Sequence, residues 1–97
     1  MDEIGFRTWL ASSGKNRKVQ ADAVSRLKTL QRELGCCDLD NAYSTDGCAK
    51  ILTALKNKGE NDLMRSYGAV NLPVGKYTLS TYRYALNLYI QFRESQK

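Results

Sequence analysis

No histidine occurs in the 97 residues, which removes the commonest general acid–base and metal-binding side chain. Proton transfer would fall to Asp, Glu, Lys, Tyr or Cys, and none of these clusters at a recognisable catalytic spacing. Asp38 and Asp40 alternate with Leu39 in a turn, with no other acid near enough in sequence to shape a shuttle. Capping and turn formation explain them better. Cys36, Cys37 and Cys48 are odd in number and two are adjacent, unlike a secreted disulfide framework. They lack the CxxC spacing and the fourth ligand of a zinc site, and no histidine can activate a thiol. They read as reduced thiols in the core or in turns. The segment GAVNLPVGK, Gly68 to Lys76, superficially suggests a phosphate loop. Its glycines have the wrong spacing, and Tyr77 follows Lys76 where Ser or Thr is required. Nucleotide binding by such a loop is rejected. No catalytic residue, metal or cofactor is assigned, and a non-enzymatic role is expected.

Charge carries more information. The net charge is +5. From Gly5 to Arg32 the bases Arg7, Lys15, Arg17, Lys18, Arg26, Lys28 and Arg32 face only Asp22. From Glu33 to Asp62 acids prevail, and from Leu63 to Arg93 there are Arg65, Lys76, Arg83 and Arg93 with no acid. Packing of the first and last helices together would bring the basic ends onto one face suited to an anionic partner. The densest cluster, Lys15-Asn16-Arg17-Lys18, opens a helix, where cations oppose the dipole. A locally unfavourable choice of this kind points to function, and the amides and cations there suit a phosphate.

The elements that position these residues are helical. Asp2 and Glu3 favour a first turn, and a short helix runs to about Ser12 with Ile4, Trp9 and Leu10 inward. Trp9 is a core anchor. Gly14 stops this helix. Asn16 caps a second helix reaching about Leu34, with an inward stripe of Ala23, Val24, Leu27, Leu30 and Leu34 and a terminating Gly35. A short piece, Leu39 to Tyr43, precedes a helix capped by Asp46 and running from Gly47 to about Asn57. One or two turns follow between Glu60 and Tyr67, then a loop broken by Pro73. The last helix starts near Thr78 or Ser80, and Leu79, Tyr82, Leu86, Tyr89 and Ile90 form its core face. The expected fold is all-α, a compact single-domain bundle over residues 1–97 of four longer helices with one or two short ones.

The order of features resembles a known module. Phe6-xx-Trp9-Leu10, then Val24-Ser25-Arg26-Leu27, Leu39-Asp40 and Asp46-Gly47 come first. The run from Gly75 through Ser80, Tyr82-Arg83, Ala85-Leu86 and Tyr89 to Phe92 closes the series. This is similar to the SAM-like core-binding domain of tyrosine recombinases (phage integrases). It also resembles the helical N-terminal module of HNH and restriction-type nuclease proteins. The usual aromatic early in the second helix is missing, where Gln20, Ala21 and Ala23 stand. No recombinase or HNH catalytic set is present, so Tyr77, Tyr82, Tyr84 and Tyr89 are not recombinase nucleophiles. The resemblance implies DNA binding without chemistry. By analogy the contacts are the Lys15, Arg17 and Lys18 loop, the outward Lys28 and Arg32, and an edge formed by Lys76 and Arg83.

Two functions follow as expectations. The first is a module that binds double-stranded DNA mainly through phosphates. The alternative is a phage or mobile-element protein that docks on a host nuclease or defence complex through Arg65, Tyr67, Tyr77 and Arg83, residue types enriched in binding hot spots. No apolar stretch approaches the ~18 residues that suggest a membrane span. The start is acidic before it is apolar, unlike a signal peptide. No membrane partner and a cytoplasmic location are expected.

Overall fold

A computed structural model describes residues 1–35 and 38–96. The described residues form six α-helices: α1 (Glu3–Ser12), α2 (Arg17–Glu33), α3 (Leu39–Asp46), α4 (Ala49–Ala54), α5 (Asp62–Ser66) and α6 (Leu79–Ser95). The fold is all-α, as composition and periodicity predict. Helices α2 and α6 pack on each other most extensively, and α1 lies against both.

Local chemistry sets the first boundaries. Asp2 caps α1 by accepting the Gly5 amide at 3.0 Å. Asn16 caps α2 by accepting the Val19 amide at 2.9 Å. Such caps satisfy amides that have no partner inside the helix. All five residues of the predicted α2 stripe are buried. The α1 face differs from expectation: Ile4 is 81% exposed, while Phe6 and Leu10 are fully buried. At 100° per residue Ile4 lies across the helix from Phe6, whereas Trp9 and Leu10 share its side. Phe6, Trp9, Tyr89 and Phe92 form an aromatic cluster, with Phe6 edge-on to Tyr89 at 5.2 Å between centroids. Trp9 is half-buried at its margin, so it serves as a packing anchor.

The middle of the chain departs further. The piece expected to end at Tyr43 continues to Asp46, and the next helix is correspondingly short. Gly47 and Cys48 are both left-handed, at φ 67° and 65°, and they separate the two helices. Asp46 therefore ends α3, yet its carboxylate still accepts the Lys50 amide at 3.1 Å. Helix α4 stops at Ala54, short of the expected Asn57, because Asn57 and Lys58 also turn left-handed at φ 52° and 56°. Asn61 repairs the break. Its Nδ2 donates to the carbonyls of Ala54 (3.0 Å) and Lys56 (2.9 Å), and its Oδ1 accepts the Met64 amide at the start of α5 (2.8 Å).

One core draws on all six helices. In α6, Leu79, Leu86 and Tyr89 are fully buried as expected, and Ala85, Leu88 and Phe92 join them. Tyr82 and Ile90 only flank the core. Cys48 is buried in it, whereas Cys36 and Cys37 lie outside the described residues. Asp38 caps α3 by accepting the Asp40 amide at 3.1 Å, so the two carboxylates are structural. No helix among the described residues is long and apolar enough to cross a membrane.

Candidate functional site

The basic residues fall into two regions. The first is one flank of α2. Arg17, Ala21, Lys28 and Arg32 recur at helical spacing on a single face, which rises about 22 Å from end to end. Beside α1 this face forms a groove lined by Arg7, Lys28 and Arg32, with Ala21, Val24, Ser25 and Thr29 between them. Arg7 is a site residue that charge counting alone does not single out; its signal is its place four residues after Glu3.

The groove cations are partly neutralised. Glu3 accepts from Lys28 Nζ at 2.7 Å and pairs with Arg7 at 3.3 Å. The Lys28 hydrogen bond holds its carboxyl below the usual carboxylate range. Arg32 pairs with Glu33 at 3.0 Å. Glu33 is also held low, chiefly by the Asn71 amide at 2.7 Å, which ties α2 to the loop before α6. Exposed pairs of this kind contribute little to stability and exchange readily for another anion. At the α2 N-terminus the situation differs. Arg17 and Lys18 are exposed, Lys15 is half-buried, and none has a carboxylate partner among the described residues. The Lys15 carbonyl is held by Gln20 Nε2 at 2.9 Å, which fixes the loop that presents them.

The second region surrounds the start of α6. Lys76 and Arg83, expected along one edge, line different clefts. Lys76 faces Arg26 of α2 across an open cleft of about 500 Å³ that also includes Asn71, Thr78, Thr81 and Tyr82. Arg83 lines a smaller cleft with Lys58, Tyr77, Ser80, Asn57 and Leu55. Among the described residues no acid lines either cleft.

The four alternative anchors are scattered. Tyr77 and Arg83 share that smaller cleft. Arg65 pairs with Asp62 and borders an apolar depression with Met64, Val70 and Val74. Tyr67 lies under Lys50 at 5.7 Å, in a depression between α3 and α4 with Leu34 and Ile51.

A partly exposed polar network around the buried Tyr89 links α1, α3 and α6. The Tyr89 hydroxyl donates to Asp40 and accepts the Asp2 amide at 3.3 Å. Asp40 also meets Arg93 at 3.4 Å. Burial, and then the bond to Asp40, push the Tyr89 phenol well above its ordinary value. The Met1 amine donates to Asp38 and holds that carboxyl low. Among the described residues no three His, Cys, Asp or Glu side chains gather as a metal site would need.

Comparison with family models, with curated proteins and with solved structures finds no match for the chain. Its surface chemistry is therefore the ground for a functional reading.

Proposed function

We propose that this chain is a non-catalytic module that binds double-stranded DNA, chiefly through its phosphates. It would work in the manner implied by the resemblance to the integrase core-binding domain, in the cytoplasm and in a phage or mobile-element setting. The observation that carries this reading is the α2 flank. Three cations without carboxylate partners among the described residues, Lys15, Arg17 and Lys18, continue into a groove edged by Arg7, Lys28 and Arg32. A phosphate occurs every ~3.4 Å along each strand of B-DNA, so a face of this length spans about six phosphates of one strand. Phosphate contacts position a protein on the duplex without reading sequence. Exposed Arg and Lys side chains beside small residues supply that kind of contact. The alternative, a docking module for a nuclease or defence complex, has less support because its four anchors occupy three separate places.

The test is gel retardation of duplex DNA with a variant carrying Lys15→Glu, Arg17→Glu and Lys18→Glu together. Wild-type protein should retard the duplex in a salt-sensitive way and the triple variant should not. Equal retardation by both would refute the site.

A further inference from the structure

The turn between α4 and α5 is conformationally expensive. Asn57 and Lys58 are consecutive non-glycine residues in the left-handed region, where a side chain meets its own backbone. Gly59 follows at φ 78°, and a Cβ there would lie 2.8 Å from Leu79 Cδ2. The Lys58 carbonyl accepts the Gly75 amide at 2.7 Å, so the turn is tied to the loop leading into α6. This arrangement sets the Lys58 amine 4.3 Å from the centre of the Tyr77 ring. Tyr77 is nevertheless 82% exposed, the most exposed large hydrophobic side chain among the described residues. Its ring gains little from burial in the fold. Backbone strain that displays a cation and an open aromatic ring points to use at that surface.

The surroundings specify the use. Tyr77 and its neighbour Lys76 line adjacent but different clefts, the first with Lys58 and Arg83 and the second with Arg26. These four cations have no ion-pair partner among the described residues, and neither cleft is lined by an acid. An exposed aromatic ring that lines one cationic cleft beside a second, with the Lys58 amine over its ring, matches the chemistry of a single nucleic-acid strand. Its bases stack on aromatic faces while its phosphates take cations. A duplex cannot use the ring in this way, because its bases are already stacked.

We infer that the Lys76–Tyr77 ridge binds an unpaired nucleotide, its base stacked on Tyr77 and its flanking phosphates held by Arg26 and Lys76 on one side and by Lys58 and Arg83 on the other. This rests on the nucleic-acid reading above but uses a different surface. The site suits a single-stranded extension beside a duplex held on the α2 flank.

Fluorescence anisotropy with labelled oligothymidylate and with a labelled blunt duplex tests it. Tyr77→Ala should weaken oligothymidylate binding by roughly 5- to 150-fold, the range for loss of one stacked base. Duplex binding should stay unchanged, and Tyr77→Phe, which keeps the ring, should bind both as wild type does. Lys58→Gly fits the left-handed backbone and should weaken only the single strand. The inference falls if wild type binds the duplex but not oligothymidylate. It also falls if Tyr77→Ala binds oligothymidylate normally or weakens both probes alike. Loss of duplex binding alone in wild type would instead refute the duplex proposal and leave this site standing.

Discussion

Tyr89 shows how a single side chain can serve the fold while looking like chemistry. In the sequence it is one of four tyrosines that invite a nucleophile reading. In the structure its ring is fully buried and its hydroxyl links Asp40 to the Asp2 amide. Its phenol pKa is raised, so a folded molecule resists ionising it while an unfolded one ionises near pH ~10. The contribution is therefore complete below that pH and is lost as pH rises toward the folded value. Thermal unfolding measured from pH 7 to 11 should show the melting temperature falling steeply above pH ~10. Tyr89→Phe should flatten that fall. At pH 7 it should lower stability by about 1.5–3 kcal/mol, through loss of a hydrogen bond to a charged acceptor. A variant whose alkaline profile matches the wild type would show that another group controls it.

At the scale of elements, legibility depended on whether a boundary had a chemical marker. Helix α2 was readable throughout, because Asn16, a regular stripe and Gly35 each carry a stereochemical reason. The inward face of α1 was equally available from strict 100° spacing, which separates Ile4 from Phe6. The end of α4 was not. Asn57 tolerates a left-handed backbone, but nothing in a lysine announces one, so the helix reads as running on to about Asn57 until the tie between Lys58 and Gly75 is seen. The same blindness hid the clefts: Arg26 and Lys76 are 50 positions apart, and Lys58 lies nearly 20 before Tyr77. Only the return of the chain to the α6 start brings them together. Asn61 braces the turn between α4 and α5, since it serves two helix ends at once. Asn61→Ala should destabilise the fold by about 1–2 kcal/mol, the upper range for loss of a cap. For a domain this size that corresponds to a melting temperature lower by roughly 5–15 °C. Asn61→Asp keeps the acceptor for Met64 but loses the donors to Ala54 and Lys56. It should recover only part of the loss, and full recovery would show that the α4 carbonyls do not need it.

For the whole molecule, the question is how a chain of net charge +5 distributes charge it can offer to a partner. Total charge says nothing about which cations are already engaged. Glu3 sits between Lys28 and Arg7, and among the described residues it is the one carboxylate that pairs with both sides of the α1–α2 groove. It stabilises little, because both pairs are exposed. It also competes directly with any phosphate that enters the groove. Glu3→Gln should therefore strengthen duplex binding at low salt while shifting the melting temperature only slightly. The salt response should change with it. Each neutralised phosphate adds about 0.9 to the magnitude of the slope of log K against log salt. Glu3→Gln should steepen that slope by roughly 1–2, as Lys28 and Arg7 become free to meet phosphates. Replacing Lys15, Arg17 and Lys18 together by Gln should flatten it by roughly 2–3. These opposite changes require the α2 flank to be the contact surface, because a duplex held anywhere else would leave both variants with the wild-type slope.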